Sequence, residues 1–169
     1  MSDSKPTIGF IGVGLMGHGM AKNLVTKGHP LVVLGHRNRE PVEHLKSLGA
    51  KEAKTPRELA SQCDIVRLCV TGSPQVEANL RGPDGVIAGG RKGLIVIDCS
   101  TSNPVSTLAL GDDLQAAGMT LVDAPLSRTP KVSVVVASFN GDRTLKACLE
   151  SLRNLNYPDY EVMLVDDGS

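Results

Sequence analysis

The sequence predicts an α/β protein: a doubly wound parallel sheet with helices on both faces, three layers in all. Three observations carry this. Apolar runs of strand length recur between Thr7 and Asp123. They alternate with stretches that carry helix caps and stops, and fully apolar strands between helices belong to parallel sheets. The first run breaks into glycines and then into a helical pattern, as at the start of a βαβ unit.

The elements follow in order. Ile8 to Ile11 is the first strand, and Leu15 to Lys27 the first helix, stopped at Gly28. Pro30 to Leu34 is the second strand, and Glu40 to Leu48 the second helix, stopped at Gly49. Thr55-Pro56-Arg57-Glu58 is a capping box with proline at the first helical position, so a helix runs to about Gln62. Asp64 to Val70 is the fourth strand of the pattern. Ser73-Pro74 starts a helix in the same way, Gly93 to Asp98 is a strand, and Asn103-Pro104 caps a helix that Gly118 ends. Met119 to Asp123 is the sixth parallel strand.

Gly12, Gly14 and Gly17 fall on the G-x-G-x-x-G spacing. The first glycine allows the tight turn, the second a close backbone approach to a diphosphate, and the third close packing of helix on strand. Free N–H groups at the helix start then hold the anion. The predicted cradle is Gly12, Val13, Gly14, Leu15, Met16 and Gly17. Glycines in an ordinary strand–helix turn would share the spacing, but the βαβ context favours a Rossmann-like dinucleotide site.

The end of the second strand decides the cofactor. An NAD site usually places an acid there for the ribose 2′-OH, and an NADP site an arginine for the 2′-phosphate. This chain has Gly35, His36, Arg37, Asn38 and Arg39, with no acid before Glu40. Arg37 is the better phosphate clamp because a guanidinium can bind two oxygens, and Arg39 is a second candidate. NADP is therefore expected, with NAD as the other option. Two solvated loop charges are the competing account. Val70-Thr71 and Ser100-Thr101 lie at later strand ends, where hydroxyls and backbone could meet the nicotinamide ribose. Ser100, Thr101 and Asn103 serve equally well as turn and cap residues.

Composition excludes several classes. The formal charge is zero over 169 residues, so no polyanionic partner is implied. Tryptophan is absent and aromatics are scarce, which disfavours base stacking and nucleic-acid binding. No apolar run approaches membrane-spanning length and the start lacks a signal-peptide core, so a cytoplasmic protein with no membrane contact is expected. Cys63, Cys69, Cys99 and Cys148 form no CxxC pair, and the four histidines show no ligand spacing, so no metal is expected.

Four motifs in order, IGFIGVGLMGHGMAKNL, VTGSPQVEANL, VIDCSTSNP and LVDAPLSRTP, resemble the β-hydroxyacid dehydrogenase family, of 3-hydroxyisobutyrate dehydrogenase and its relatives. The resemblance spans Thr7 to about Lys131 and implies an NAD(P)-binding domain of an oxidoreductase. It implies cofactor roles for Gly12, Gly14, Gly17, Val70, Thr71, Gln75 and Thr101, and a substrate-carboxylate contact for Ser127. Arg128 and Thr129 replace the family's glycine neighbours of Ser127, which leaves the substrate open. The family's catalytic lysine opens a helical second domain that nothing after Lys131 resembles, and Lys146 lacks its Gly-x-x-x-Lys context. No catalytic residue is assigned, and little or no turnover is expected.

From Val132 the sequence resembles the opening βαβ unit of a family 2 glycosyltransferase. Ser138-Phe139-Asn140, Cys148-Leu149-Glu150-Ser151-Leu152 and Asp166-Asp167-Gly168-Ser169 carry that likeness. The implied role of the paired acids is a uridine contact, while solvated loop acids are the plainer account. The expected domains are 1–131, dinucleotide-binding, and 132–169, a fragment docked on the same sheet: a chimera of two families. Strand 132–138 is expected beside strand 119–123 and antiparallel to it, because the link between them is too short for a parallel return. Strand 161–165 would then run parallel to 132–138, extending six parallel strands by a βαβ unit of opposite sense. Three functions follow: an NADP-binding dehydrogenase domain, a non-catalytic scaffold or interaction module that forms a homodimer through the face a second domain would cover, and, least supported, a nucleotide-sugar binding fragment.

Overall fold

A computed structural model of the chain describes residues 5–126, 132–138, 145–152 and 160–166. The chain divides into two compact units, Met1–Leu126 and Ser127–Ser169.

The first unit alternates strand and helix. Its first half contains β1 (Ile8–Ile11), α1 (Leu15–Thr26), β2 (Leu31–Leu34), α2 (Glu40–Ser47), β3 (Lys51–Ala53) and α3 (Pro56–Ser61). Its second half contains β4 (Ile65–Leu68), α4 (Ser73–Leu80), the short α5 (Val86–Gly89), β5 (Ile95–Asp98), α6 (Pro104–Ala116) and β6 (Thr120–Asp123). All six strands are parallel, in the order β3-β2-β1-β4-β5-β6. The chain starts at mid-sheet, walks out to β3, then returns past β1 to β4. That reversal opens a crevice at the carboxyl ends of β1 and β4, where ligands of such sheets bind.

Strand periodicity explains the two cores. Ile8 and Phe10 of β1 and Leu31 and Val33 of β2 pack with Ala21 of α1 and Val42 and Leu45 of α2. Their neighbours Ile11 and Val32 fall in a second cluster, with Leu59 of α3, Val76 and Leu80 of α4, and Leu110 and Leu114 of α6. Both faces of the strands are therefore apolar, as the continuous runs require. Phe10, Leu45, Leu59, Leu80 and Leu114 are fully buried, and each such side chain contributes about 1.5–3 kcal/mol.

The helix ends follow local chemistry. The Thr55 hydroxyl accepts from Glu58 N at 3.1 Å, and the Glu58 carboxylate accepts from Lys54 N at 2.8 Å, so the predicted box closes one residue early. Asn103 caps α6 by accepting from Val105 N at 2.9 Å. Ser73 is a correction: Gly72 is the N-cap of α4, with no side-chain bond. The Ser73 hydroxyl instead accepts from Asn103 N at 2.7 Å and ties the β4–α4 turn to the loop after β5.

The second unit contains β7 (Val132–Ser138), α7 (Leu145–Leu152) and β8 (Tyr160–Asp166). β7 and β8 are parallel over all seven positions, from Val132↔Tyr160 to Ser138↔Asp166. The parallel relation of these strands is as expected. Strand pairing gives two separate sheets, one of six strands and one of two.

Candidate functional site

The glycine turn connects β1 to α1, and its three glycines differ in a way that separates fold from function. Gly12 has φ +93°, which favours glycine, and a Cβ there would lie 2.2 Å from the Cys69 carbonyl oxygen. At Gly17 a Cβ would lie 1.9 Å from the Gly12 carbonyl oxygen, so helix and strand touch there. Around Gly14 a Cβ would meet nothing within 4 Å. Packing thus explains the first and third glycines and leaves the second without a partner from the protein. Gly14 is the N-cap of α1, no side chain caps the helix, and its first turn holds no acid. The first N–H groups and the positive end of the helix dipole are free for an anion. Val13 is buried, so only its backbone could meet a ligand, whereas Leu15 and Met16 are exposed.

A cavity of about 400 Å³ lies beside this turn, lined by Gly14, Leu15, His18, Asn38, Glu40, Pro41 and His44. It joins the glycine turn to the loop after β2, so two regions singled out separately in the sequence form one site. His36 and Arg37 are exposed in that loop but do not line the cavity. The sequence reading missed His18 and His44, whose ring nitrogens lie 2.8 Å apart between α1 and α2. The available signal was a histidine on each of the two helices on either side of β2.

The two candidate arginines differ. Arg39 donates to both oxygens of Glu52 at 2.6 and 2.8 Å and to Glu43 at 2.6 Å. Lys46 completes the group at 3.1 Å from Glu43 and 3.3 Å from Glu52. No hydrogen bond or ion pair reaches Arg37 among the described residues. The Arg39 guanidinium holds the Glu52 carboxyl at about 2, below its ordinary 4.5. A depressed carboxylate stabilises the fold above about pH 4.5 and loses that contribution as the pH falls through about 2. An NMR titration of the Glu52 side chain should therefore show a midpoint near 2; a midpoint near 4.5 would show that the pair is open in solution.

At the other side of the crevice, Val70 N donates to the Ser100 hydroxyl at 3.0 Å. The buried Asp98 carboxylate accepts from Ser100 N at 2.9 Å and from the Ser102 hydroxyl at 2.7 Å. These bonds fold the loop after β5 against the end of β4. Ser100 and Asn103 thus brace and cap, whereas Thr71, Gln75 and Thr101 are exposed. A Cβ on Gly72 would lie 3.6 Å from the Thr101 carbonyl and 3.9 Å from the Gln75 amide oxygen, which places these residues together. Ser127, Phe139, Asn140 and Asp167 lie outside the described residues, as do Arg128 and Thr129.

All four cysteines are free. Burial, with Asp64 adding to it, pushes the Cys63 thiol up to about 12, and burial also raises Cys69. Neither is a ready thiolate nucleophile. No group of three or more His, Cys, Asp or Glu could hold a metal among the described residues, and no helix among them is long and apolar enough to cross a membrane.

The family described as the NAD binding domain of 6-phosphogluconate dehydrogenase matches residues 7–133. Residues 133–169 match glycosyl transferase family 2. The cytokine-like nuclear factor N-PAC of Danio rerio is 31% identical over 159 residues, 89% of this chain and 34% of its own length. The 3-sulfolactaldehyde reductase of Escherichia coli K12 is 38% identical over 122 residues, 72% of this chain and 41% of its own. The chain thus spans well under half of either relative. Among solved structures, Psf3 in complex with NADP+ and 2-OPP superposes with a TM-score of 0.66 at 24% identity, over 95% of this chain and 57% of that one.

Proposed function

The chain belongs to the family of the NAD-binding domain of 6-phosphogluconate dehydrogenase, and from that premise we propose that its first unit binds NADP(H) in preference to NAD(H). The observation that carries this reading is the open space at Gly14, between glycines that packing requires. The diphosphate lies over Gly12 to Gly17, and the adenosine end turns toward the cavity and the loop of His36, Arg37 and Asn38. Val70, Thr71, Gln75 and Thr101 face the nicotinamide end, and Ser127 belongs to the substrate side. When bound, the dinucleotide supplies the hydride chemistry; this chain's residues bind and orient it. The parent chemistry is that of a 3-hydroxyacid dehydrogenase or reductase. No acid–base group for hydride transfer is assigned among these residues, so little or no turnover of small 3-hydroxy acids is expected, and measurable oxidation of them by this chain would overturn that expectation.

Fluorescence titration with NADPH and NADH tests the reading. Saturable binding with NADPH tighter is expected; no binding of either up to about millimolar concentration, the weak end of useful affinity, ends it. A second reading, a non-catalytic scaffold that pairs with a second copy, is favoured by Val105 and Leu108 of α6, 75% and 72% exposed. A monomer in sedimentation velocity counts against it. Residues 133–169 are read as a spliced glycosyltransferase segment, and UDP binding in the same titration would give that segment a function.

A further inference from the structure

We propose that Glu52 sets cofactor selectivity from the neighbouring strand, by holding Arg39 away from the dinucleotide. This rests on the NADP(H) reading above. The acid or arginine that discriminates the ribose 2′ substituent usually stands just after the second strand. Here that position is Gly35, and its lack of a side chain has a consequence. A Cβ on Gly35 would lie 2.2 Å from Glu52 Oε1 and 2.6 Å from Arg39 Nη1. The glycine leaves room for an ion pair assembled from β3 and the start of α2 to lie across the tip of β2.

The register explains how Glu52 reaches it. Val33 pairs with Glu52 and Leu34 with Ala53, so β3 runs alongside the end of β2. Both terminal nitrogens of Arg39 are engaged, one on Glu52 and the other shared between Glu52 and Glu43. Lys46 touches the same two carboxylates. Two cations and two acids thus form a closed group with no net charge. The Arg39 guanidinium lies against Gly35, yet three of its five N–H donors are already taken by carboxylates. A carboxylate stands there as well, but two cations hold its acceptors, so it makes a poor partner for a ribose hydroxyl.

The side chains are partly exposed, Arg39 at 48% and Glu52 at 24%, so the group can be opened without unpacking the core. Glu52→Gln keeps the shape and removes the charge that anchors Arg39. The freed guanidinium then becomes a second donor to the 2′-phosphate. NADPH should bind the Glu52→Gln chain about three- to tenfold tighter than the wild type, with NADH changed less than about twofold. Arg39→Met alone should change neither cofactor by more than about twofold, and the Glu52→Gln/Arg39→Met double variant should return NADPH to the wild-type affinity.

The measurement is a titration of the full chain and its three variants with NADPH and NADH, with a thermal melt to confirm folding. A purely structural role for Glu52 would move the melt, or both cofactors together, and leave their ratio alone. An unchanged ratio in Glu52→Gln overturns the proposal, as does loss of NADPH binding in Arg39→Met. If the wild type binds neither cofactor, the NADP(H) reading fails and takes this proposal with it. If the wild type binds NADPH and the ratio stays fixed, the proposal alone fails.

Discussion

Gly17→Ala should cost the first unit about 3 kcal/mol or more, while Gly14→Ala should fold normally and lose the dinucleotide. The two positions are three residues apart in one turn, and the contrast comes from what surrounds them. At Gly17 the added carbon would sit 1.9 Å from the Gly12 carbonyl oxygen and 3.0 Å from the Phe10 ring. The first of these is backbone at the end of β1, so it cannot swing aside as a flexible side chain would. Relief requires α1 to lift from the sheet, and that opens the cluster of Phe10, Ala21 and Val33. A fall of roughly 10 °C in Tm follows for a unit of this size. At Gly14 the backbone is extended, with φ −71° and ψ −160°, which alanine adopts freely. A modest loss at the N-cap offsets the gain from a stiffer unfolded chain, so the melt should stay within about 1 kcal/mol of the wild type. The new carbon would occupy the open space over the helix start, where the diphosphate belongs, and NADPH affinity should drop about tenfold or more. Calorimetry and fluorescence titration of both variants decide the matter. Wild-type NADPH binding by Gly14→Ala would remove the anion cradle from this turn. A wild-type melt for Gly17→Ala would mean that helix and strand stand further apart.

The turn was legible because its chemistry is local. Glycine spacing, the Thr55 box and the Asn103 cap each depend on residues a few positions apart, and the structure realises all three. What the sequence hid depends on register between distant segments. Arg39 read as a spare phosphate clamp because Glu52, thirteen residues on, meets it only once β3 aligns beside β2. His18 and His44, 26 residues apart, meet because α1 and α2 pack on the same face of the sheet. Ser73 was read as a cap, yet its hydroxyl serves Asn103 across two strand ends.

Arg37→Ala should weaken NADPH about ten- to a hundredfold and leave NADH within about twofold, the size expected for losing a charge-assisted contact to phosphate. Arg37 is singled out by elimination among the charges after β2. Arg39 and Lys46 are held by Glu43 and Glu52, and their sum with those acids is zero. Glu40 lines the cavity at the first position of α2, where the helix dipole offsets a negative charge. Arg37 remains as an exposed cation that no acid engages among the described residues. Its fork can take two phosphate oxygens, and NADH has none to offer at that ribose. Arg37→Glu should go further, excluding NADPH by repulsion while giving the 2′-hydroxyl of NADH an acceptor. The preference for NADPH should also fade at high salt, because the contact that creates it lies at the surface. Equal weakening of both cofactors by Arg37→Ala would mark a residue that shapes the loop and reads no phosphate. Tighter NADH than NADPH in the wild type would return the decisive role to Glu40, the acid already at the cavity wall.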